Sequence, residues 1–299
     1  MAYTSGDTIL DNHYNDFATS VNAIWGSGSG DSGYGQTSTV SSVSAGSTIT
    51  AAQWTTLLAR ISSAASHQNS TITAISNPSA GGTISAFTAL STNISTITTN
   101  KLNVYGRAAV VNSSCSTTTT LTGTITQTGN WTWGSTDQAR YFFNAGGRIS
   151  VSWDLSGHTS DAKADNWNAL AAACGTYYVY AQSSGKSGGS GSTNVNNTNY
   201  GWHDMSGSQT TVFRQYEDTG PYTASYMELD MWKSGAVVYF SSEWHDDAAD
   251  STSYNKSIYN VQDQVDGSKI TYFGHEEPGT AYISDTWGDG PTQNVTGNG

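Results

Sequence analysis

Apolar residues follow two different rhythms along the chain. In the first hundred residues they recur at helical spacing. Trp54, Leu57, Leu58, Ile61 and Ala65 fall at i, i+3, i+4, i+7 and i+11, which is one face of a helix. Tyr14, Phe17, Val21, Ile24 and Trp25 do nearly the same, and Phe87, Leu90, Ile94, Ile97 and Lys101 follow a heptad-like spacing. Each stretch is preceded by a related turn-and-cap segment: Ser5-Gly6-Asp7-Thr8-Ile9-Leu10, Ala45-Gly46-Ser47-Thr48-Ile49-Thr50 and Ala80-Gly81-Gly82-Thr83-Ile84-Ser85. The pattern predicts three short helices in a weak internal repeat. Their other positions are Ser, Thr and Asn, mediocre helix formers that leave a lone helix unstable in water. Two packings satisfy this: a small helical domain with its own core, or helices packed against copies of themselves about a symmetry axis. The scarcity of apolar residues over so long a segment favours the second, as a homotrimer.

From residue 107 the rhythm changes to alternation. Strands are predicted at 108–111, 121–127, 139–143, 148–155, 176–181, 210–215, 226–232, 237–245 and 269–274, all rich in β-branched and aromatic residues. One helix is predicted over 162–174, with Trp167, Leu170, Ala171 and Cys174 on one face. The stretch 183–199 is nearly free of apolar residues and reads as a long surface loop. The fold class is therefore α+β: a small helical N-terminal oligomerisation region, 1–106, followed by a mainly β, sandwich or jelly-roll-like domain, 107–299.

Composition narrows the function classes. The 299 residues carry only 11% charged side chains but 11% aromatics, with 10 Trp and 17 Tyr. That excludes a disordered tail, which lacks aromatics, and a full-length coiled coil, which needs far more Glu, Lys and Leu. No apolar run is long enough to span a bilayer, so no membrane insertion is expected. The net charge of −12 argues against a nucleic-acid partner. The start, Met1-Ala2-Tyr3-Thr4-Ser5-Gly6, lacks the basic and apolar regions of a signal peptide, so export by that route is not expected. Cys115 and Cys174 are read as small buried hydrophobes; two cysteines make no disulfide framework.

A search for reaction chemistry returns little. Paired carboxylates of a glycosidase kind exist in Trp244-His245-Asp246-Asp247 and Glu217-Asp218, but both segments read as solvated loop tips. The six histidines, 13, 67, 158, 203, 245 and 275, show no His-x-x-x-His pairing, and neither cysteine belongs to a Cys-x-x-Cys pair. Asp246-Asp247-Ala248-Ala249-Asp250 lacks the Gly and terminal Glu of an EF-hand loop. The Gly-rich run from Gly26 to Gln36 follows no strand and precedes no Lys, so it is a flexible or hairpin connector rather than a phosphate loop. No catalytic residue, metal ligand or cofactor site is assigned. Trp131, Trp133, Trp153, Trp202, Trp232, Trp244 and Trp287 lie in the β part, where Trp is mostly core or interface. Trp202 and Trp244 fall near loops, beside His203 and Asp246. These four residues are the candidate contacts for a glycan or a partner.

Thr8-Ile9, Tyr14-Asn15, Val21-Asn22 and Ile24-Trp25-Gly26, followed by Gly30-Asp31-Ser32-Gly33-Tyr34-Gly35-Gln36, resemble the start of many tail-associated virion proteins of tailed bacteriophages, including those of phages that infect cyanobacteria and marine bacteria. Arg140-Tyr141-Phe142-Phe143-Asn144-Ala145-Gly146-Gly147-Arg148-Ile149 resembles a segment recurrent in that group. So do Asn166-Trp167-Asn168-Ala169-Leu170 with Gly175-Thr176, and Tyr222–Tyr226, Val237–Phe240 and Asp263–Gly267. The pieces cover about half of the chain. That family often repeats its β module, which stands once here.

The resemblance implies a non-enzymatic structural protein of the virion tail, made in the host cytoplasm. A tail fibre or tail-tip component would partner other copies of itself and other tail proteins, and would hold a host surface glycan through many weak contacts. The alternatives are a baseplate, collar or head-decoration subunit, a carbohydrate-binding module of secreted type, and a glycan depolymerase.

Overall fold

The computed structural model describes residues 10–79, 86–218, 220–247 and 265–299. The turn-and-cap residues 5–9 and 80–85, together with 248–250, 263 and 264, lie outside the described residues. The chain divides into two compact units. One comprises Met1–Ala108, Asp137–Gly147 and Glu277–Gly288, the other Ala109–Thr136, Arg148–Glu276 and Asp289–Gly299. The first crossing falls two residues from the boundary that the sequence suggests. The return of 137–147 and 277–288 to the helical unit has no counterpart in the sequence reading.

In the helical unit, α1 (Asp11–Trp25), α2 (Ala51–His67) and α3 (Phe87–Thr99) each contact the other two. Tyr14, Val21, Ile24 and Trp25 of α1, Trp54, Leu57, Ile61 and Ala65 of α2, and Leu90, Ile94 and Ile97 of α3 are buried. A capping box starts α2: the Thr50 side chain accepts from Gln53 N–H, and Gln53 Oε1 accepts from Thr50 N–H. The apolar faces of the three helices meet one another within the chain. Few apolar residues suffice because amide side chains clamp extended backbone to the helices. Asn15 both donates to and accepts from the backbone of Val43, Asn22 does so with Val40, and Asn93 with Thr73. Each clamp supplies a donor and an acceptor to a segment that has no β partner.

The predicted strand at 139–143 is instead part of a helix, α4 (Thr136–Asn144). Ala139, Phe142 and Phe143 are its buried apolar residues, at i, i+3 and i+4, and Asp137 stands in its first turn. Over five residues, aromatic content alone does not separate the two periods.

The second unit is a sandwich of two antiparallel sheets. One sheet has the order β1-β10-β3-β4-β5, formed by Val111–Thr117, Ser268–Glu276, Arg148–Ser156, Thr176–Val179 and Ser184–Ser187. The other has the order β11-β2-β9-β8-β7-β6, formed by Thr292–Asn298, Thr124–Thr132, Val237–His245, Tyr226–Ser234, Thr210–Tyr216 and Val195–Asn196. The α+β class and the mainly β sandwich are as expected. The polar strands β1, β5, β6 and β11 differ from the reading: 183–199 holds two short strands, and β1 starts where a strand was expected to end. The two sheets also meet along both margins. Ser116 N–H donates to Asn298 Oδ1 between β1 and β11, and Lys186 N–H donates to Asn196 Oδ1 between β5 and β6. Side-chain amides again close what would otherwise be open sheet edges.

The sandwich core is aromatic with a polar thread through it. Trp131 lies 5.4 Å from Phe240 and 5.5 Å from Phe273, and Trp153 stacks on Phe213 at 5.2 Å. Between the sheets, buried Gln127 donates to Lys269 O and accepts from Trp244 Nε1 and Thr271 Oγ1. The thread continues from Thr271 to the Ser242 hydroxyl, which accepts from Trp153 Nε1. Helix α5 (Ala162–Cys174) packs on β3, β7 and β8. It is capped by Asp161, which accepts from Lys163 and Ala164 N–H, and stops at Gly175, whose φ of 63° suits glycine.

Candidate functional site

The four residues singled out from the sequence lie inside the fold or hold it together. Trp244, on β9, is 0% exposed and faces Trp167 at 5.9 Å. Trp202 is 4% exposed; Lys233 Nζ lies 4.0 Å from its ring centroid, and His203 meets the ring edge-on at 4.8 Å. Asp246 is bound by Lys163 Nζ at 2.7 Å, and both side chains are nearly inaccessible. A sugar stacks on an exposed aromatic face, so the glycan role expected of Trp202 and Trp244 is corrected: both indoles are packing residues. Asp246 is held in its buried ion pair with Lys163, while His203 is half-exposed beside the Trp202 ring. Loop-like flanks misled the reading of the two tryptophans: Trp244 is the penultimate residue of β9 with its ring in the core, and Trp202 stands in a turn with its ring packed under Lys233.

The other sequence candidates disperse in the same way. Glu217 is buried rather than at a solvated tip, while Asp218 is exposed. Both cysteines are free and buried. Burial pushes the Cys115 thiol up to about 11 and the Cys174 thiol higher still, so neither is poised as a nucleophile. The Gly26–Gln36 run is a packed loop rather than a loose connector. Tyr34, Gly35 and Gln36 N–H groups return to the carbonyls of Ile24, Gly26 and Trp25, and the Tyr34 ring is fully buried.

Nine of the ten tryptophans are buried; Trp232 is the exception, and it marks a different surface. On β8, Met227, Leu229 and Met231 point into the core, so Tyr226, Glu228, Asp230 and Trp232 share the outer face of the six-stranded sheet. The register places Tyr226 beside Tyr216 and His245, Glu228 beside Arg214 and Glu243, and Trp232 beside Tyr239. Tyr226 stacks on His245 at 4.1 Å and lies 4.8 Å from Tyr216; Trp232 stacks on Tyr239 at 5.4 Å. Two aromatic groups therefore flank an acidic centre.

In that centre, Glu228 and Glu243 are directly opposed, a like-charge pair that costs stability unless it is neutralised. Arg214 Nε and Nη2 both reach Glu228 Oε2. His245 Nε2 lies 2.7 Å from Glu243 Oε2, and its Nδ1 lies 3.1 Å from Thr124 Oγ1. Burial, followed by the charges of Asp230 and Glu243, pushes the Glu228 carboxyl up against the opposing pull of Arg214. One ligand atom each from Glu228, Glu243 and His245 lies within 4.8 Å of the others, which makes this the one metal-capable group of three among the described residues. The sequence reading missed it because Glu228 and His245 are 17 positions apart and meet only through the β8–β9 register. The alternation of Tyr226, Glu228, Asp230 and Trp232 against Met227, Leu229 and Met231 was the available signal. Comparison with family models, with curated proteins and with solved structures finds no match.

Proposed function

We propose that the chain is a non-enzymatic structural protein of a tailed-phage virion, standing in the tail as a fibre or tip component. The observation that carries the reading is what the residues of the resemblance do. Asn15 and Asn22 clamp extended backbone. Gln36 clamps Ser284 through two hydrogen bonds, and Thr286 Oγ1 donates to Tyr34 O. Arg140 Nη1 donates to Ser32 O, and Asn144 Nδ2 donates to Gly30 O and Gly33 O. The two segments that most resemble tail proteins, more than a hundred positions apart, therefore hold each other in the helical unit. Their motif residues serve scaffolding, as suits an assembly protein.

Within this reading, attachment belongs to the outer face of the six-stranded sheet. Tyr216, Tyr226, Trp232 and Tyr239 are only partly buried there, and Tyr and Trp are the residues that carry contact surfaces. Display in several copies, a homotrimer in the tail beside other tail proteins, would let weak contacts with a host surface glycan add up. A purely structural role, in a baseplate, collar or head decoration, is the second reading. It is favoured by the burial of Trp202 and Trp244, which removes the sequence argument for glycan contact.

Gold-labelled antibody against residues 107–299, applied to intact virions, separates the two readings. Label at the tail or its fibres is the expected result. Label at the neck or head turns the reading to collar or decoration, and no label on accessible particles overturns the exposed role. Sedimentation of the purified chain tests the trimer; a monomer mass at micromolar concentration removes it.

A further inference from the structure

We propose that Glu228, Glu243 and His245 form a binding site for a divalent transition ion of the zinc class on the outer face of the six-stranded sheet. The inference is independent of the role in a virion. An ion centred among three atoms within 4.8 Å of one another stands about 2.8 Å or less from each, against about 2.0–2.2 Å for zinc bound to nitrogen or carboxylate oxygen. Side-chain movements of less than about 1 Å close that gap. The ligand atoms come from neighbouring strands in fixed register, so the backbone needs no rearrangement.

The donor set selects the ion class. One imidazole with two carboxylates suits zinc and its neighbours, whereas calcium takes six to eight oxygens and makes little use of a nitrogen. Thr124 completes the arrangement. Without an ion, His245 Nε2–H donates to Glu243 Oε2; a bound ion would displace that proton, leaving His245 protonated on Nδ1 and donating to Thr124 Oγ1. Arg214 does not block the site, since both of its contacts fall on Glu228 Oε2 and leave Oε1 for the metal.

A second observation points to a cation here. Asp230 is 8% exposed and lies two residues along β8 from Glu228, on the same face. Its Oδ2 accepts from Gln209 Nε2 at 2.7 Å, but its Oδ1 is buried with no partner among the described residues. Asp230 is opposed across the strands by Thr211 and Ser241, neither of which carries a charge. Three carboxylates with one arginine leave the centre anionic. A divalent ion held by Glu228, Glu243 and His245 would offset that excess charge, with Asp230 adding to the anionic field rather than to the ligand set.

The test uses the full chain, stripped with a chelator and titrated calorimetrically with zinc chloride and, separately, with calcium chloride. One equivalent of zinc is expected to bind saturably and to raise the unfolding temperature by several degrees, with calcium giving no comparable heat. Glu243→Gln and His245→Gln should each weaken zinc binding by at least tenfold, or abolish it. Absence of saturable zinc heat overturns the proposal, as does zinc binding that survives in both variants, or calcium binding as tightly as zinc. Should a variant fail to fold, X-ray absorption of the zinc-loaded unmodified chain decides. A shell of one imidazole with oxygens supports the site; two or more imidazoles, or sulfur, overturn it.

Discussion

Asn22 and Val40 are joined twice: Asn22 Nδ2 donates to Val40 O at 2.8 Å, and Val40 N–H donates to Asn22 Oδ1 at 2.8 Å. A helix side chain thereby does what a neighbouring strand does in a sheet. Asn22→Leu keeps the volume but leaves both backbone groups of Val40 without partners. The expected cost is about 2–3 kcal/mol, read as a lower urea midpoint. Asn22→Asp keeps the acceptor alone and should fall between the two. A midpoint for Asn22→Leu equal to that of the unmodified chain would show that the clamp contributes nothing.

Two buried histidines set an acid limit. His67 Nε2 lies 2.9 Å from Ala145 O, so the ring is neutral with its proton on Nε2. Burial lowers the pKa of His67 to about 4, and that of His275 also to about 4. In the unfolded chain both titrate near the ordinary value of about 6.5. Between these values the unfolded state binds more protons, so stability is full above pH 6.5 and is lost as pH falls toward 4. The loss is on the order of 2–3 kcal/mol per histidine. Urea midpoints measured from pH 7.5 to 4.5 should decline accordingly, and His67→Gln should remove about half of the slope. A flat profile over that range would contradict the burial of both rings.

Glycine requirements differ sharply within the helical unit. Gly35 has φ +72°, and a Cβ there would stand 2.5 Å from the Tyr141 ring. Gly46 has φ +76°, with nothing within 4 Å of such a Cβ. Gly46→Ala therefore carries only backbone strain, about 1 kcal/mol, whereas Gly35→Ala adds a clash that must move a packed ring and should cost about 3 kcal/mol or more. Thermal unfolding of the two variants compares them directly. Equal midpoints would mean that Tyr141 yields freely.

The sequence made the helical faces and the long alternating strands legible, because one buried face imposes a period on Trp54, Leu57 and Ile61, or on Met227, Leu229 and Met231. The polar elements were not legible. Strands β1, β5, β6 and β11 are held by backbone pairing and by Asn and Ser side chains, which leave no apolar period to read. The same gap hid the amide clamps: Asn15, Asn22 and Asn93 hold extended backbone where apolar residues are few, and no apolar period announces them. At the surface, alternation was visible on β8, but the partners of Glu228 depend on strand register, which is a long-range property.

Lys163 and Asp246 offer the sharpest test of the corrected site. Their atoms meet at 2.7 Å with both side chains almost fully buried, and Asp246 Oδ1 also accepts from Ser225 Oγ. Lys163→Met removes the cation but leaves the carboxylate in the interior, which should cost about 3–5 kcal/mol. Lys163→Met combined with Asp246→Leu removes both charges and should recover much of that loss, because a buried ion pair contributes little beyond an apolar pair of similar size. If Asp246 were instead a contact residue for a glycan, Asp246→Leu alone would abolish attachment at unchanged stability. The expectation here is the reverse: a lowered urea midpoint for the single variant, with attachment of the folded fraction retained. Measuring both quantities on the same preparation separates a structural aspartate from a binding one.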